Sequence, residues 1–209
     1  MARNLELPSL HTQLPYRTSE LACVVIRLRI DERPHLLMRA HRAWKDWSFV
    51  GGHVEADESE DWLRAACRET EEEMAPLRCG LDVEVAPLAL PASVWGPVAS
   101  RSSGKLTIYR AAWYHLRFLR DPALCLAALP SERFLLLDEE NLRRRPRSRD
   151  ISGLVAQLER VAPRGLDELP FAWPESCTRI SMPVACPSLA PLSEVASPCG
   201  ALANPNAGG

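Results

Sequence analysis

The segment that most constrains the fold of this chain is residues 51–75, which read GGHVEADESEDWLRAACRETEEEMA. It begins with a glycine pair, continues through an acidic loop and ends in a predicted helix. Because a helix turns about 100° per residue, Glu69, Glu72 and Glu73 share one face, and Glu71 falls outside it. A separate apolar stripe is formed by Leu63, Ala66, Cys67, Thr70 and Met74. We therefore predict a helix that docks one side on a core and gathers three carboxylates on another edge.

Three carboxylates on adjacent helical turns repel one another, so a positive charge should lie near them. Arg68 and Arg64 can supply part of it locally. A hard divalent cation would offset the repulsion more strongly, because Mg²⁺ and Mn²⁺ prefer oxygen ligands. The helix by itself leaves a second interpretation open, in which the acidic residues form a solvated face.

The same segment resembles the Nudix box, whose pattern is G-x5-E-x7-R-E-U-x-E-E-x-G-U, with U a bulky apolar residue. Gly52 matches the first glycine, Arg68 and Glu69 match the R-E pair, and Glu72 and Glu73 match the E-E pair. The lead-in WSFVGGHVE is also similar to that of the family. The resemblance implies a loop–helix–loop that holds a divalent metal against a diphosphate.

The chain departs from the pattern at three points. The distance from Gly52 to Arg68 is longer than in the family, so the first glutamate is either Glu58 or Glu60. We favour Glu60, because it stays in phase with the helix. Ala75 stands at the closing glycine, where a positive φ would be costlier. Pro76 replaces the last bulky residue and ends the helix. All three ligand positions are retained.

The rest of the chain predicts an α/β fold. Apolar and β-branched runs predict strands at 21–30, 35–40, 79–90, 106–118 and 134–137. We expect the first two to form a hairpin, and 21–30 and 106–118 to form the centre of the sheet. Apolar residues at helical spacing predict an amphipathic helix over 151–161. The resemblance implies a Nudix-type α/β/α sandwich with a mixed β-sheet.

Composition divides the chain into three parts. Residues 1–20 form a polar lead, and 21–173 form the predicted hydrolase domain. Residues 174–209 are rich in Pro, Ser and Ala, without periodicity, which is typical of a disordered tail. Hydrophobic and charged fractions of 46% and 25% are those of a globular protein.

Net charge and cysteine content restrict the expected partners and the expected cellular compartment. A net charge of −2 gives no global attraction to nucleic acid or to an anionic membrane. The sequence contains no apolar run long enough for a membrane span and no signal-peptide core. Seven scattered cysteines without a CxxC pair favour reduced thiols in the cytoplasm. The oligomeric state stays open, a homodimer included.

The resemblance also implies roles for individual residues. Glu69, Glu72 and Glu73 would bind Mg²⁺ or Mn²⁺, with Glu72 or Glu73 closest to the attacking water. Arg68 would orient these carboxylates through a salt bridge. Glu55, Glu58 and Glu60 are secondary candidates.

Residues outside the acidic helix complete the predicted site. Gly51 and Gly52 would let the backbone approach a phosphate closely. Arg39 or Arg42 could bind a phosphate of the substrate, because guanidinium groups bind phosphate well. Glu132, before the strand at 134–137, is carried over from the family as an additional catalytic carboxylate. Three tryptophans could pack in the core or stack on a ring of the substrate: Trp44, Trp47 and Trp95.

The expected function is metal-dependent hydrolysis of a diphosphate linkage in a nucleoside diphosphate derivative or a related small molecule. The alternative is a Nudix-fold protein that binds a nucleotide and cleaves nothing. A nucleic-acid partner, suggested only by the basic run RRRPRSR at 143–149, is not favoured, because no aromatic residues are interleaved with it. The sequence does not identify the diphosphate substrate.

Overall fold

The described residues form two mixed β-sheets and four α-helices. The structure, a computed structural model of the chain, describes residues 16–41, 46–59, 61–144, 153–162, 164–177 and 184–185. The strands are β1 (Arg17–Val25), β2 (Arg27–Ile30), β3 (Arg33–His41), β4 (Asp46–Ser48), β5 (Val50–His53), β6 (Val83–Pro87), β7 (Ser93–Ala99), β8 (Leu106–Phe118), β9 (Phe134–Asp138), β10 (Ser176–Cys177) and β11 (Val184–Ala185). The helices are α1 (Trp62–Glu73), α2 (Pro122–Ala127), α3 (Glu139–Arg144) and α4 (Gly153–Val161).

The first sheet has the order β5-β1-β8-β6, and β7 also pairs with β8. Strand β1 runs parallel to β8 and antiparallel to β5, so this sheet is mixed. In this register Cys23 lies opposite both Gly51 and Trp113. The predicted central position of residues 106–118 is thus confirmed, because β8 pairs with three neighbouring strands.

The second sheet has the order β10-β2-β3-β9-β11, and β4 also pairs with β3. The predicted hairpin is confirmed: β2 and β3 are antiparallel, with Ile30 opposite Arg33. A two-residue turn joins them, and both of its residues have positive φ, 46° at Asp31 and 65° at Glu32. Such angles suit the right-handed twist of a tight hairpin.

The single strand predicted at 21–30 is interrupted at Ile26, and its two parts belong to different sheets. Ala172 lies between the two sheets at this point. Its N–H donates to Arg27 O at 2.6 Å, and its C=O accepts from Phe118 N at 2.8 Å. Ala172, which is distant in the chain, therefore occupies the hydrogen-bonding groups of Arg27 on β2 and Phe118 on β8 that could otherwise pair strand to strand.

Helices cover the strands on two sides. Alternate residues of β1 face opposite sides: Ala22 and Val24 belong to one apolar cluster, and Cys23 and Val25 to the other. The first cluster includes buried residues of α1 and α2, and the second includes residues of α3 and α4. The expected α/β fold with a helical layer on each side is confirmed, although its strands form two sheets rather than one.

The end of the domain differs from the expected tail. Residues 176–177 form β10 beside β2, and residues 184–185 form β11 beside β9. Glu32 N donates to Ser176 Oγ at 3.0 Å and ties β10 to the hairpin turn. The other residues predicted to be disordered, 178–183 and 186–209, lie outside the described part of the chain, as do 1–15 of the lead.

Candidate active site

Helix α1 supplies the acidic side chains, and its apolar face fixes their direction. Asp61 caps its first turn by accepting a hydrogen bond from Arg64 N at 3.1 Å. Its buried residues are Ala65, Ala66 and Thr70, followed by Met74 at the cap. The Thr70 hydroxyl donates to Ala66 O at 2.7 Å, which satisfies a polar group inside the core. The predicted stripe is wrong at Leu63, which is exposed.

Helix α1 ends without the positive φ that the sequence comparison raised as a cost at Ala75. The Met74 N–H donates to Thr70 O at 2.9 Å and closes the last turn. Among the described residues, positive φ values at positions other than glycine occur only at Asp31 and Glu32. Ala75 therefore replaces the glycine of the box without needing a left-handed conformation.

Arg68 anchors the acidic loop to α1. Its Nε donates to Glu58 Oε1 at 2.9 Å, and its Nη2 donates to Glu58 Oε2 at 3.0 Å and to His53 O at 2.9 Å. Glu58 lies in a short 3₁₀ turn, Ala56–Glu58, and its side chain is only 2% exposed. These hydrogen bonds hold the pKa of Glu58 below its ordinary value and raise that of Arg68.

The structure therefore brings Glu58 to Arg68, whereas our preferred first glutamate was Glu60. Glu60 lies outside the described residues. Glu58 reaches Arg68 from a separate turn that precedes α1, and the preference for Glu60 stays a prediction.

The three predicted ligands do not have the same surroundings. Glu69 and Glu73 line a cavity beside α1, and their side chains are 13% and 11% exposed. Glu72 projects into solvent with 59% exposure, and Arg68 Nη1 lies 3.4 Å from its carboxylate. Glu71 points elsewhere and accepts a hydrogen bond from Cys79 N at 2.9 Å. The helical period thus separated Glu71 correctly and did not distinguish Glu72 from its neighbours.

The Glu73 carboxylate has an unusual environment. Burial raises its pKa to about 7, and the negative charge of Glu69 acts in the same direction. Arg39 Nη1, 2.8 Å from Glu73 Oε1, and the Gly51 N–H, 3.1 Å from Glu73 Oε2, oppose that rise. Arg133, which the sequence did not single out, adds a further positive charge that lowers the pKa.

The negative field of Glu69 and Glu73 reaches the strand beneath them. Cys23 on β1 lies under the cavity, and burial raises the pKa of its thiol to about 12, with Glu73 and Glu69 adding to the rise. Burial lowers the pKa of His53 at the cavity wall, and Arg17 also lowers it. Cys23 and His53 are thus held neutral beside the two carboxylates.

Two glycines of β5 make room for this arrangement, each in its own way. At Gly51, where φ is +135°, a Cβ atom would lie 2.1 Å from the backbone oxygen of Ala22. At Gly52 it would lie 2.5 Å from the Glu69 carboxylate. Gly51 therefore permits the pairing of β5 with β1, and Gly52 permits the close approach of Glu69 to the strand.

The donor chemistry of Glu69 and Glu73 suits a hard divalent cation, because both are carboxylates whose mutual repulsion contributes to the raised pKa of Glu73. In the structure these oxygens instead contact Arg68, Arg39 and the Gly51 N–H. Within the described residues, no group of three His, Cys, Asp or Glu side chains is arranged to hold a metal ion. Glu69 and Glu73 therefore have the donor atoms that a hard divalent cation prefers, and Arg68 and Arg39 lie against them as positive partners.

The site residues predicted outside α1 do not all lie at the cavity. Arg39 lines the cavity and pairs with Glu73. Glu132 is exposed in the 3₁₀ turn Ser131–Arg133 and is not among the described residues that line the cavity. Arg42 and Trp44 lie outside the described residues, as do positions 145–149 of the basic run. Trp47 packs against an apolar cluster that includes Phe49 and Trp113.

The cavity has a volume of about 570 Å³ and extends from the two carboxylates to strands β4 and β7. Trp95 and Tyr109 form one wall, their rings stacked with centroids 5.2 Å apart and planes inclined by 16°. Asp46 and Arg101 lie on another part of the lining and form an ion pair of 2.7 Å. The sequence indicated Trp95 alone, because the pairing of Trp95 with Tyr109 becomes visible only in the β7–β8 register.

Among the described residues, no helix is both long and apolar enough to cross a membrane. Comparison with curated proteins finds no match.

Solved structures resemble the chain weakly. An Ap4A hydrolase from C. elegans is 19% identical, with 60% of this chain and 85% of that one covered and a TM-score of 0.41. A NUDIX hydrolase from Nitrosomonas europaea is 18% identical, with 74% and 97% covered and a TM-score of 0.44. NrtR from Shewanella oneidensis is 15% identical, with 68% and 62% covered and a TM-score of 0.43. These values are too low to transfer a substrate.

The sequence itself matches a family. Residues 18–146 match the NUDIX domain, and this range contains the glycine pair, the acidic loop, α1 and the strands that surround the cavity. The match spans more than half of the chain, and the chain therefore belongs to the NUDIX domain family of pyrophosphohydrolases.

Proposed function

We propose that the chain is a metal-dependent hydrolase that cleaves the diphosphate linkage of a nucleoside diphosphate derivative or a related small molecule. The observation that carries the proposal is the position of Glu69 and Glu73. Both are largely buried and both line one cavity, at the place where a guanidinium group, Arg39, is already paired with a carboxylate. Two carboxylates and a guanidinium group at one end of a cavity suit a ligand made of phosphate groups with a bound divalent metal ion.

Glu69 and Glu73 are the residues that would hold Mg²⁺ or Mn²⁺, with Glu72 on the same helical face as a third, solvent-facing carboxylate. A bound divalent ion neutralises charge on phosphate oxygens and lowers the pKa of water. Arg68 would act as a positioning residue, because it holds Glu69 at 2.8 Å and Glu58 through two hydrogen bonds.

Proton transfer from an attacking water needs an acceptor whose pKa lies near the working pH. Glu73 and Glu72 are our candidates for this acceptor, because both lie on the face of α1 that carries Glu69. The exposed position of Glu132 gives it the weakest claim to a catalytic role.

Arg39 is the proposed phosphate-binding side chain. Its Nη1 contacts Glu73, and its buried Nε donates to no acceptor among the described residues. A phosphate oxygen in the cavity could accept that hydrogen bond. The Gly51 and Gly52 backbone lines the same end of the cavity, and Gly52 lets the Glu69 carboxylate lie close to strand β5.

The test is a hydrolysis screen of the purified full chain with Mg²⁺ or Mn²⁺. The panel contains nucleotide sugars, dinucleoside polyphosphates, NAD-type dinucleotides and nucleoside triphosphates, and products are separated by ion-exchange chromatography. We expect turnover of at least one panel member, lost on chelation. Glu73→Gln and Glu69→Gln should each lower kcat by about a hundredfold or more, since both remove a charge at the reacting centre.

Glu71→Gln is the matched control, because Glu71 lies on the same helix, outside the cavity, and glutamine retains an acceptor for Cys79 N. Its activity should equal that of the unmodified chain. Nucleotide binding without turnover of any panel member would support a sensor and overturn the hydrolase proposal.

A further inference from the structure

Two cysteines lie in contact beside helix α1. Cys67 belongs to α1, and Cys79 lies in the segment that follows the helix. Both pack against the first apolar cluster and both are partly exposed. The other described cysteines, Cys23, Cys125 and Cys177, are buried. Among the described thiols, a small reagent in solvent can therefore reach this pair most easily.

Several contacts hold Cys79 against the helix. Its thiol donates to the backbone oxygen of Cys67 at 3.7 Å, and a further hydrogen bond joins the two side chains. The Cys79 N–H donates to Glu71 Oε1 at 2.9 Å, one helical turn beyond Cys67. A disulfide needs two backbones that already lie side by side, with a Cα–Cα distance of about 4.4–6.8 Å. These contacts place the backbone of Cys79 beside the turn of α1 that carries Cys67.

The pair encloses the acidic part of the helix. Residues 68–78 lie between the two cysteines in the chain and include all three predicted metal ligands. A bond between Cys67 and Cys79 would close this stretch into a covalent loop and restrict the conformations of its backbone. Neither cysteine is among the described residues that line the cavity. The pair is therefore separate from the residues proposed to bind substrate.

We propose that Cys67 and Cys79 form a modification site, at which hydrogen peroxide converts the two thiols into an intramolecular disulfide. One sulfur, as the thiolate, attacks a peroxide oxygen. The O–O bond breaks, and a sulfenic acid forms while the released hydroxide takes up the thiol proton to become water. The second thiol then attacks the oxidised sulfur, the S–S bond forms, and the hydroxyl group leaves with the second thiol proton as water. Two electrons pass in total from the two sulfurs to the peroxide.

The first step should be slow and the second fast. Burial raises the pKa of Cys67 and raises that of Cys79 to about 12, so little thiolate exists at neutral pH. The hydrogen bond between the two thiols opposes the rise at Cys67. Once one sulfur is oxidised, its partner is already in contact with it. The sulfenic acid should therefore not accumulate.

The experiment treats the purified, reduced full chain with hydrogen peroxide for several hours at neutral pH. The remaining thiols are then alkylated, and the chain is digested with trypsin and analysed by mass spectrometry without reductant. Because trypsin cuts after arginine, the expected product is residues 65–68 joined to residues 79–101. We expect this linked peptide to be the main oxidation product of both cysteines and to disappear after treatment with dithiothreitol.

Replacement of one cysteine leaves the other without its partner. In Cys79→Ser the sulfenic acid of Cys67 has no adjacent thiol, so its adduct with dimedone should increase at least about tenfold over the unmodified chain. Cys125→Ala is the matched control, because Cys125 is a buried thiol of α2 in the same apolar cluster. The linked peptide should form in this variant to the same extent as in the unmodified chain.

Three results would overturn the proposal. The first is oxidation of Cys67 and Cys79 without a bond between them, or linkage of either one mainly to another cysteine. The second is recovery of both as alkylated thiols after a peroxide exposure that oxidises Cys67 in Cys79→Ser. The third is failure of peroxide to oxidise Cys67 in either protein. None of these results depends on hydrolysis, since the link can form in a chain that cleaves no diphosphate.

Discussion

Arg39 Nη1 lies 2.8 Å from Glu73 Oε1, so a cavity-lining carboxylate of α1 is paired with a guanidinium group from β3 in the second sheet. The pair joins β3 to the end of α1. It places a guanidinium group inside the cavity, where hydrolysis of a diphosphate needs positive charge near the phosphate oxygens. Two of our predictions concern this end of the cavity.

Replacement of Arg39 by methionine should strengthen divalent-cation binding and weaken substrate binding. Without the guanidinium group the field at Glu69 and Glu73 becomes more negative, and Mn²⁺ affinity should rise about tenfold in the absence of substrate. The titration should be made at several pH values from about 7 to 9, because removal of Arg39 raises the pKa of Glu73 above about 7 and protonation competes with the cation. KM for the substrate should rise. Unchanged Mn²⁺ affinity would show that Arg39 and the cation do not act on the same carboxylate.

The glycine pair should respond unequally to alanine. At Gly52 the new Cβ meets the flexible end of Glu69, so Gly52→Ala should fold with a loss under about 1 kcal/mol and lose activity about tenfold through displacement of that carboxylate. At Gly51 it meets the backbone oxygen of Ala22 at a positive φ, so Gly51→Ala should lower the free energy of unfolding by about 2 kcal/mol or more. Urea unfolding and kcat measurements separate the two effects. Equal behaviour of both variants would contradict the assignment.

Glu58→Gln should destabilise the acidic loop in a pH-dependent manner. At pH 7 the loss of a carboxylate that accepts two hydrogen bonds from Arg68 should cost about 2 kcal/mol. The pKa of Glu58 is lower in the folded state than its ordinary value of 4.5, so its contribution is complete above that value and is lost as pH falls through the folded pKa. The difference in free energy of unfolding between the unmodified chain and the variant should therefore shrink below about pH 4.5. A difference that is constant from pH 7 to 3 would argue against an ionic contact.

Arg27 and Glu139 form a fully enclosed ion pair that should be revealed by a double-mutant cycle. Arg27 Nε donates to Glu139 Oε1 at 2.6 Å, and Glu139 is 0% exposed. Arg27→Met alone leaves a buried charge and should cost about 3–5 kcal/mol. Adding Glu139→Leu should restore much of that loss, because two apolar side chains then fill the site. Additive effects of the two substitutions in chemical denaturation would disprove the coupling.

Local periodicity accounts for what the sequence predicted well. The helical spacing of α1 separated Glu71 from Glu69 and Glu73, and the β-branched runs located the β2–β3 hairpin and β8. These features depend on neighbours in the chain, and their pattern is therefore visible in one sequence.

The site depends more heavily on contacts between residues that are far apart in the chain, and such contacts produce no periodic pattern in the sequence. Asp46 meets Arg101 across 55 positions, and Glu58 reaches back from a turn to Arg68. The division of the predicted strand 21–30 between two sheets follows from Ala172, more than a hundred residues away. Roles assigned to Glu72, Glu132 and Arg39 stay predictions until the variants are measured.

The short strands β10 and β11 occupy the two outer positions of the second sheet, next to β2 and β9. Each therefore covers a row of backbone groups that would otherwise be available to another chain. A truncation after residue 173 would uncover both rows at once while leaving the α1 carboxylates in place. Such a protein should keep its catalytic groups and self-associate, which gives β10 and β11 a protective role against aggregation rather than a chemical one.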